Sequence, residues 1–519
     1  MTELFNASAY LVDRHVEAGG GDRIALRVRG RSIGYGELLE QVCGAAAGLR
    51  GLGVRAEERV LLALLDGAEF VAAFLGAMRL GAIPVPVNPL LPGRDLGLVA
   101  AKSRVRVAVV ASERAAALAD LVEGAPELAD VGRAGDRPAD GRVGARLHRW
   151  DELARGAADV PPHPTWADSP GFWLCTSGTT GLPKLAMHRH ADLRTTAEGF
   201  AQEVLGITPS DRCYSVAPLF HAYGLGNSLG FPLSVGAAAV LEPTRPPSPS
   251  LVAEIVLTEQ PTLFFSIPTA YAHLLAAELP PDTFASVRQA VSAGEALPAE
   301  LFTRFLERFG VEILDGIGST ELTHMFIANH RGCARPGTSG TPVGGYRVRL
   351  EDDDGGEVPP ETPGHLWVSG DTAATGYWCE TDATRRTFRG EWVRTGDVYA
   401  RSEDGYYTYL GRSDDMLKVG GEWVSPAEVE AVLIEHPDVL EAAVIGEPRP
   451  DGLVQPVAYV VAAPDRMLDP DALVEYCRGR LAGYKRPRRV VVLDELPKTA
   501  TGKIRRAGLR ERAPADGPA

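Results

Sequence analysis

Short apolar runs alternate with amphipathic segments of helical length along the part of the chain that precedes Gly411. Buried strands that alternate with helices are typical of an α/β fold with largely parallel sheets. Two segments rich in Pro, Gly, Arg and Asp, residues 132–144 and 243–249, indicate surface loops. The pattern predicts strands at residues 58–65, 105–110, 263–267 and 287–291, and helices at residues 69–80 and 113–122.

A second, smaller pattern begins near Gly411, where the composition changes. Ser425 is expected to cap a helix at residues 426–435, and Glu428, three residues later, completes the signature of a capping box. Further predicted elements are strands at residues 439–445 and 457–461 and a helix at residues 473–481. The chain is therefore predicted to divide into residues 1–411 and residues 412–519.

Size, charge and cysteine content narrow the classes of function. A chain of 519 residues is too long for one hydrophobic core, so at least two domains are expected. The formal net charge of -15 disfavours nucleic acid or an anionic membrane as the main partner. The six cysteines are scattered without a C-x-x-C spacing, which suits a reducing cytosol. Since neither a signal peptide nor a membrane span is apparent, we expect a cytoplasmic protein.

The most informative stretch reads Cys-Thr-Ser-Gly-Thr-Thr-Gly-Leu-Pro-Lys at residues 175–184, directly after a strand predicted at residues 172–174. Glycines allow a backbone to approach an anion closely, hydroxyl groups add donors, and the lysine adds a positive charge. This combination fits a polyphosphate. Pro183 stands where a Walker loop has its second glycine, so the stretch is not a Walker loop.

Two further stretches combine glycines with a charged side chain. Residues 315–321, Asp-Gly-Ile-Gly-Ser-Thr-Glu, follow an apolar run, and their carboxylate could hold Mg²⁺ beside phosphates. Glycines there would also let a ligand lie flat against the backbone. Residues 497–503, Pro-Lys-Thr-Ala-Thr-Gly-Lys, place a lysine on a Gly/Thr turn, which by itself is typical of solvated surface.

With these three stretches, the sequence resembles the adenylate-forming enzymes, a family that includes acyl- and aryl-CoA ligases, adenylation domains and firefly luciferase. The stretches are similar to its phosphate loop, its adenine and Mg²⁺ motif and its C-terminal lysine motif. Residues 394–397 resemble its ribose motif and residues 411–421 its hinge motif, so five motifs follow the family's order. The resemblance implies a large N-terminal domain of stacked α/β sheets plus a distorted barrel, with a small mobile α+β C-terminal domain.

The resemblance also implies an ATP site and a catalytic lysine. Asp397 is expected to accept hydrogen bonds from both ribose hydroxyls. Thr320 and Glu321 are expected to be catalytic, with Glu321 and Thr180 near Mg²⁺. Lys503 is expected to bridge the substrate carboxylate and the α-phosphate, so that two anions can react. The ATP-binding residues implied are Thr176, Ser177, Gly178, Thr179, Thr180, Gly181, Lys184, Gly294, Glu295, Asp315, Gly316, Ile317, Asp397 and Arg412.

A hinge and a thiol tunnel are implied near the predicted domain boundary. Asp414 occupies the hinge position, about which the family's C-terminal domain rotates between adenylate and thioester formation. After the rotation, Lys418, Gly420 and Gly421 are expected to help form a tunnel for a slender pantetheine arm. Ile317 departs from the many family members that stack an aromatic side chain on adenine at this position.

The expected acid is aromatic. Residues 218–227 lie where the family builds its acyl pocket and resemble the benzoate-CoA ligase branch most closely. Small residues beside one tyrosine leave a slot suited to one ring rather than a long acyl chain. The resemblance also implies that His221 is catalytic. It departs from the benzoate enzymes, where an aromatic residue is common, and a histidine there is usual among coumarate-type ligases, where it moves with the thiol step. The expected acid-binding residues are Ala222, Tyr223, Gly318, Ser319 and His324, with Gly294 and Gly316 nearby. Tyr223 could equally be a packed core residue, and His324 a structural histidine.

The sequence does not decide which thiol accepts the acyl group. Coenzyme A and an acyl carrier protein acting in trans present the same pantetheine arm. The basic stretch at residues 478–512 fits the phosphates of coenzyme A, the acidic face of a carrier protein or a solvated surface. The resemblance favours coenzyme A. A non-catalytic acyl- or nucleotide-binding protein is a further alternative, which the intact lysines and carboxylates disfavour, and a homodimer is possible.

Overall fold

Layered sheets and helices form most of the chain, and a smaller α+β unit follows them. The computed structural model describes residues 4–135, 144–155, 159–176, 183–419, 422–449, 454–498 and 504–511. The predicted α/β class, with a large N-terminal and a smaller C-terminal part, is confirmed. The division at residues 411/412 stays a prediction. It falls within the strand Tyr407–Arg412, one residue before the end of that strand.

A parallel sheet is built from the apolar runs early in the chain. Parallel strands are covered on both faces, which requires continuous apolar runs, and every residue of Val107–Ala111 is buried. In spatial order its strands are Ile83–Pro86, Arg59–Ala63, Val107–Ala111, Asp130–Ala134 and Arg146–Arg149.

The prediction of a surface loop at residues 132–144 is wrong for the first three of these residues. Residues 132–134 belong to the buried strand Asp130–Ala134. Asp130 is tolerated in this strand because its carboxylate accepts two hydrogen bonds of 2.7 Å from Arg146 and one of 2.8 Å from His148. Residues 136–143 lie outside the described part of the chain.

A larger sheet carries the strands predicted at residues 263–267 and 287–291. Its six middle strands run parallel, so their carboxyl ends meet at one edge, and antiparallel strands complete both sides. In spatial order the strands are Thr341–Pro342, Met325–Ala328, Ile313–Gly318, Gln289–Ser292, Leu263–Ser266, Arg212–Ser215, Ala238–Leu241, Ile24–Val28 and Arg31–Gly34. We call this the nine-stranded sheet.

The remaining sheets are smaller. Two pairs are antiparallel: Pro170–Cys175 with Leu185–Arg189, and Leu417–Val419 with Glu422–Val424. Where a distorted barrel is expected, an antiparallel sheet contains Arg347–Glu351, Gly364–Ser369, Phe388–Arg389, Trp392–Arg401 and Tyr407–Arg412. The C-terminal unit has a sheet of Val439–Pro448, Val454–Ala462 and Arg489–Val492.

Helices cover the sheets. The α-helices are Arg14–Glu17, Tyr35–Gly51, Ala68–Arg79, Gly93–Ser103, Leu118–Gly124, Trp150–Leu153, His190–Thr196, Ala222–Leu225, Phe231–Val235, Pro249–Glu259, Pro268–Ala276, Ala299–Phe309, Thr381–Thr387, Pro426–Ile434, Pro470–Arg478 and Arg506–Arg510. Wider π turns are Ala9–Asp13, Ala197–Val204 and Gly226–Gly230, and tighter 3₁₀ turns are Ser112–Ala117 and Thr320–Leu322. In the described residues, none of the helices has both the length and the apolar character needed to cross a bilayer.

The predicted capping box is half correct. Ser425 caps the helix Pro426–Ile434, since its hydroxyl accepts the backbone N–H of Glu428 at 3.1 Å. The expected return contact from Glu428 is replaced by an ion pair, because both of its carboxylate oxygens lie 2.7 Å from Nζ of Lys485.

Candidate active site

The carboxyl edge of the nine-stranded sheet brings several predicted stretches together. Parallel neighbours end at the same edge, so the residues that follow them lie side by side although they are distant in the chain. Ala217, Ile267 and Gly294 follow three different strands and line one cavity. Asp315, on the adjacent strand, pairs in register with Ser292.

This cavity has a largely apolar wall with one aromatic face. The hydroxyl of Tyr223 donates to the carbonyl oxygen of Val291 at 3.2 Å, within the core. The residues that line the cavity are Val216, Ala217, Pro218, His221, Tyr223, Ile267, Ala293 and Gly294. Three predicted residues, His221, Tyr223 and Gly294, are therefore in the wall. Among the described residues, Ala222, Gly318, Ser319 and His324 do not line it.

His324 lies in an aromatic cluster beside the cavity. Its ring centroid is 5.4 Å from that of Tyr223 and 4.6 Å from that of Phe231, and its Nε2 lies 3.1 Å from Oδ1 of Asn227. Burial lowers the pKa of His324 to about 3, so the imidazole is neutral near pH 7. A neutral ring in this position holds the orientation of Tyr223, whose own ring is in the cavity wall.

Gly226 makes room for this cluster, which gives a first prediction. A Cβ atom there would lie 2.5 Å from Cδ2 of His324 and 3.1 Å from Cζ of Phe231. Gly226→Ala should displace these rings and lower the free energy of unfolding by about 1–3 kcal/mol in urea denaturation. Gly230→Ala in the same helical stretch is the control, because the nearest atoms to its Cβ would be 3.8 Å away. Equal stability of the two variants would contradict the steric argument.

Lys184, Tyr377 and Glu321 form a chain of contacts on the predicted phosphate side. The N–H of Thr176 donates to the carbonyl oxygen of Lys184 at 2.9 Å, and residues 177–182 between them lie outside the described part. Nζ of Lys184 is 5.0 Å from the ring centroid of Tyr377. The hydroxyl of Tyr377 donates to Oε1 of Glu321 at 2.6 Å. Burial, and then the Glu321 charge, raise the pKa of Tyr377, so this hydroxyl keeps its proton.

Two residues of this network were missed by sequence reasoning. Tyr377 has no local signal beyond an aromatic position between Gly376 and Trp378, and it reaches the site because its backbone pairs with Ala186. His188 is buried and its Nε2 donates to the carbonyl oxygen of Thr320 at 2.8 Å. Both residues hold predicted site residues in place from distant parts of the chain.

Glu321 is the predicted carboxylate ligand for Mg²⁺ on this side. Within the described ranges, no group of three or more His, Cys, Asp or Glu side chains could hold a metal ion. Mg²⁺ usually keeps several waters and binds one or two carboxylates together with substrate phosphates. Glu321 therefore fits a metal that arrives with a polyphosphate. Thr180, the other predicted ligand, lies outside the described residues.

Strand register pairs Asp397 with Arg412. The two residues are opposite each other in an antiparallel pair, and Nη1 of Arg412 donates to Oδ1 of Asp397 at 2.9 Å. Asp397 is buried, and this burial raises the pKa of its carboxyl group above the usual value although Arg412 opposes the shift. The pair presents a carboxylate and a guanidinium group together, as the predicted ribose and phosphate contacts require.

The glycines of residues 315–321 have a packing role in addition to the predicted one. A Cβ at Gly316 would lie 2.6 Å from the carbonyl oxygen of Ile327, and one at Gly318 would lie 2.4 Å from that of His324. Antiparallel pairing with Met325–Ala328 therefore requires both glycines. Burial raises the pKa of the Asp315 carboxyl group well above its usual value.

Glu295 marks the place where the C-terminal unit meets the large one. Its Oε2 accepts the hydroxyl of Thr269 at 2.8 Å, and its Oε1 accepts the N–H of Ile504 at 3.4 Å. Lys503 directly precedes Ile504 in the chain and lies outside the described residues. Ile504, the residue that follows the predicted lysine stretch, is thus bound to the neighbour of Gly294, which lies in the cavity wall.

Asp414 lies in an exposed turn at the predicted hinge. Its neighbours bind different parts of the molecule: Ser413 donates its hydroxyl to the carbonyl oxygen of Gly396, whereas Asp415 accepts a 2.6 Å hydrogen bond from Arg510. A change in backbone torsion at such a turn costs few packing contacts. Of the predicted tunnel residues, Lys418 is exposed, and Gly420 and Gly421 lie outside the described part.

Comparison with protein families identifies matches in both parts of the chain. The AMP-binding enzyme model matches residues 12–378, which is more than half of the chain. The model for the AMP-binding enzyme C-terminal domain matches residues 428–503. These ranges include the cavity wall, Glu321 and the lysine stretch.

Individual relatives are similar over nearly their whole length. A benzoate–CoA ligase of Thauera aromatica is 44% identical over 515 residues, which are 98% of this chain and 96% of the relative. The crystal structure of the anthranilate CoA ligase AuaEII with anthranoyl-AMP has a TM-score of 0.94 and 39% identity, covering 99% of this chain and 98% of the other. A benzoate CoA ligase structure from Burkholderia xenovorans LB400 has a TM-score of 0.90 and 41% identity, covering 98% and 100%.

Proposed function

This chain belongs to the family of AMP-binding enzymes, as its sequence motifs predicted, and from this premise we propose that it is an AMP-forming aryl-CoA ligase. It activates an aromatic carboxylic acid with ATP as an acyl-adenylate and transfers the acyl group to coenzyme A. The observation that carries the proposal is 44% identity to a benzoate–CoA ligase over nearly the full length of both chains.

The first half-reaction joins two anions. A carboxylate oxygen of the acid attacks the α-phosphorus of ATP, and pyrophosphate leaves with the electron pair of the broken P–O bond. Lys184 neutralises charge on the leaving phosphates, and Lys503 neutralises charge between the carboxylate and the α-phosphate. Bound Mg²⁺ beside Glu321 would supply further charge neutralisation. Asp397 holds the ribose and so orients the α-phosphorus.

The second half-reaction forms the thioester. The sulfur of coenzyme A loses its proton and attacks the acyl carbon of the adenylate, and AMP leaves with the electron pair of the C–O bond. His221 lies in the cavity wall, so its imidazole is placed to contact the acyl group or the incoming thiol. Loading of a carrier protein and formation of a homodimer remain predictions.

The cavity supports a single-ring acid as substrate. The ring of Tyr223 offers one aromatic face, and Ile267, Ala293 and Ala217 offer small apolar surfaces. The aromatic cluster around His324 closes the space beside Tyr223, because these rings are themselves packed in the core. A benzoate or a benzoate with one small substituent fits such a wall, whereas a long acyl chain does not.

A pyrophosphate-release screen tests the proposal. With ATP, Mg²⁺ and coenzyme A, benzoate or a small aminobenzoate or hydroxybenzoate should release pyrophosphate and AMP in equal amounts. Its kcat/KM should exceed that of octanoate by about 100-fold or more, because a compact pocket excludes extra methylenes. Activity with fatty acids alone would contradict the proposed substrate class. Acyl transfer to a carrier protein but not to coenzyme A would contradict the proposed acceptor.

A further inference from the structure

A buried carboxylate of the C-terminal unit joins three elements. Oε1 of Glu441, on the strand Val439–Pro448, lies 2.7 Å from Nε2 of His273 and 2.6 Å from Nζ of Lys498. The Glu441 side chain is only 5% exposed. His273 belongs to the helix Pro268–Ala276 of the large part. Since a carboxylate oxygen only accepts, His273 carries its proton on Nε2 and donates it across the junction.

The carboxyl group of Glu441 is negatively charged in its contact with His273 and Lys498. Burial alone would raise the pKa of Glu441, but the hydrogen bonds from His273 and Lys498 outweigh it and hold the pKa below the usual value. Glu441 is therefore ionised near pH 7. A buried carboxylate that loses a donor keeps its desolvation penalty, so each donor matters more than an exposed partner would.

The helix Pro268–Ala276 is connected to Lys498 and to Ile504, the two residues on either side of residues 499–503. Lys498 and Ile504 face each other in an antiparallel bridge at the base of that stretch. Lys498 is bound to Glu441, which is bound to His273. Ile504 is bound to Glu295, which is bound to Thr269. Thr269 and His273 are four residues apart and so lie on one face of the helix Pro268–Ala276.

We propose that His273 and Glu441 are positioning residues for adenylate formation: their contact docks the base of the lysine stretch on the helix Pro268–Ala276. The proposal rests on the proposed function, in which Lys503 acts in the first half-reaction only. The contact crosses between the two parts of the chain, so it must open when the C-terminal domain rotates for thioester formation. It therefore supports the first half-reaction and is not needed in the second.

The chain offers a matched control on the same strand. Glu447 is also buried and accepts hydrogen bonds of 2.7 Å from Tyr459 and from Arg489. Its partners all belong to the C-terminal sheet, so this ion pair does not cross to the large part. Glu447→Gln removes a comparable charge without touching the junction.

The test separates the two half-reactions. Glu441→Gln and His273→Ala should each slow benzoate-dependent ATP–pyrophosphate exchange by roughly 10- to 100-fold, the range expected for coupled buried partners. Thioester formation from supplied benzoyl-adenylate and coenzyme A should stay within about twofold of wild type. His273→Gln keeps an N–H donor and should recover part of the exchange rate. In the double variant Glu441→Gln/His273→Ala the losses should not multiply, because both remove one contact.

Hydrogen–deuterium exchange tests docking without any substrate. Residues 268–276 should exchange faster in Glu441→Gln than in wild type, and Glu447→Gln should leave them unchanged. Equal loss of both half-reactions, equal slowing by Glu447→Gln or unchanged exchange of residues 268–276 would each overturn the proposal. Absence of pyrophosphate exchange in the wild type with every acid would instead overturn the proposed function, and the hydrogen–deuterium comparison would still decide whether the docking contact exists.

Discussion

Lys503→Ala is expected to slow adenylate formation by about 100- to 1,000-fold, the usual cost of removing a group that stabilises developing charge. The substrate carboxylate and the α-phosphate repel each other, and this repulsion is worth several kcal/mol, on the order of 4 kcal/mol for unit charges 4 Å apart at an effective dielectric constant of 20. A lysine between them removes that barrier. Its neighbour Ile504 is already docked on Glu295, beside the cavity wall.

The measurement compares the two half-reactions of the same variant. ATP–pyrophosphate exchange with benzoate should be lost, whereas thioester formation from supplied benzoyl-adenylate should stay close to wild type. Lys485→Ala is the matched control, because it removes a lysine of the C-terminal unit that pairs with Glu428 instead. Normal exchange by Lys503→Ala would show that the lysine has no role in adenylation.

Asp397→Asn should lower kcat/KM for ATP by about 100-fold. The substitution keeps the side-chain volume but removes the negative charge. In the wild type this charge pairs with Arg412 and strengthens the hydrogen bonds that Asp397 accepts from the ribose hydroxyls. A hydrogen bond to a charged group contributes about 1.5–3 kcal/mol. KM for the aromatic acid should change little, since the cavity is lined by other residues.

Steady-state kinetics over a range of ATP concentrations measures this effect. Asp404→Asn is the control, because Asp404 also pairs with an arginine, Arg335, but at the exposed surface. Because the pKa of Asp397 is raised by burial, its carboxylate is lost at a higher pH than a free aspartate would require. ATP affinity should therefore fall as the pH decreases through this raised pKa, and Asp397→Asn should remove that dependence. An unchanged kcat/KM for ATP in Asp397→Asn would contradict the ribose contact.

Local sequence signals were sufficient for several buried strands and for the family. Continuous apolar runs placed the buried strands at residues 105–110 and 263–267, because parallel strands need apolar residues on both faces. Glycine, hydroxyl and lysine spacing predicted the family, which the comparisons confirm. The roles of the individual site residues remain predictions, and Lys503 and residues 177–182 lie outside the described part of the chain.

The sequence by itself therefore determined the fold class, through its apolar runs, and the family, through the resemblance of five motifs. Only the tertiary structure decided which distant side chains contact the predicted site residues. Tyr377 reaches Glu321 across 56 positions, and His273 reaches Glu441 across 168. Tertiary contacts also decided that residues 132–134 are buried in a strand and that Glu428 pairs with Lys485. A hydrogen bond requires two groups to be close in space, and the separation of two residues along the chain does not predict whether the fold brings them together.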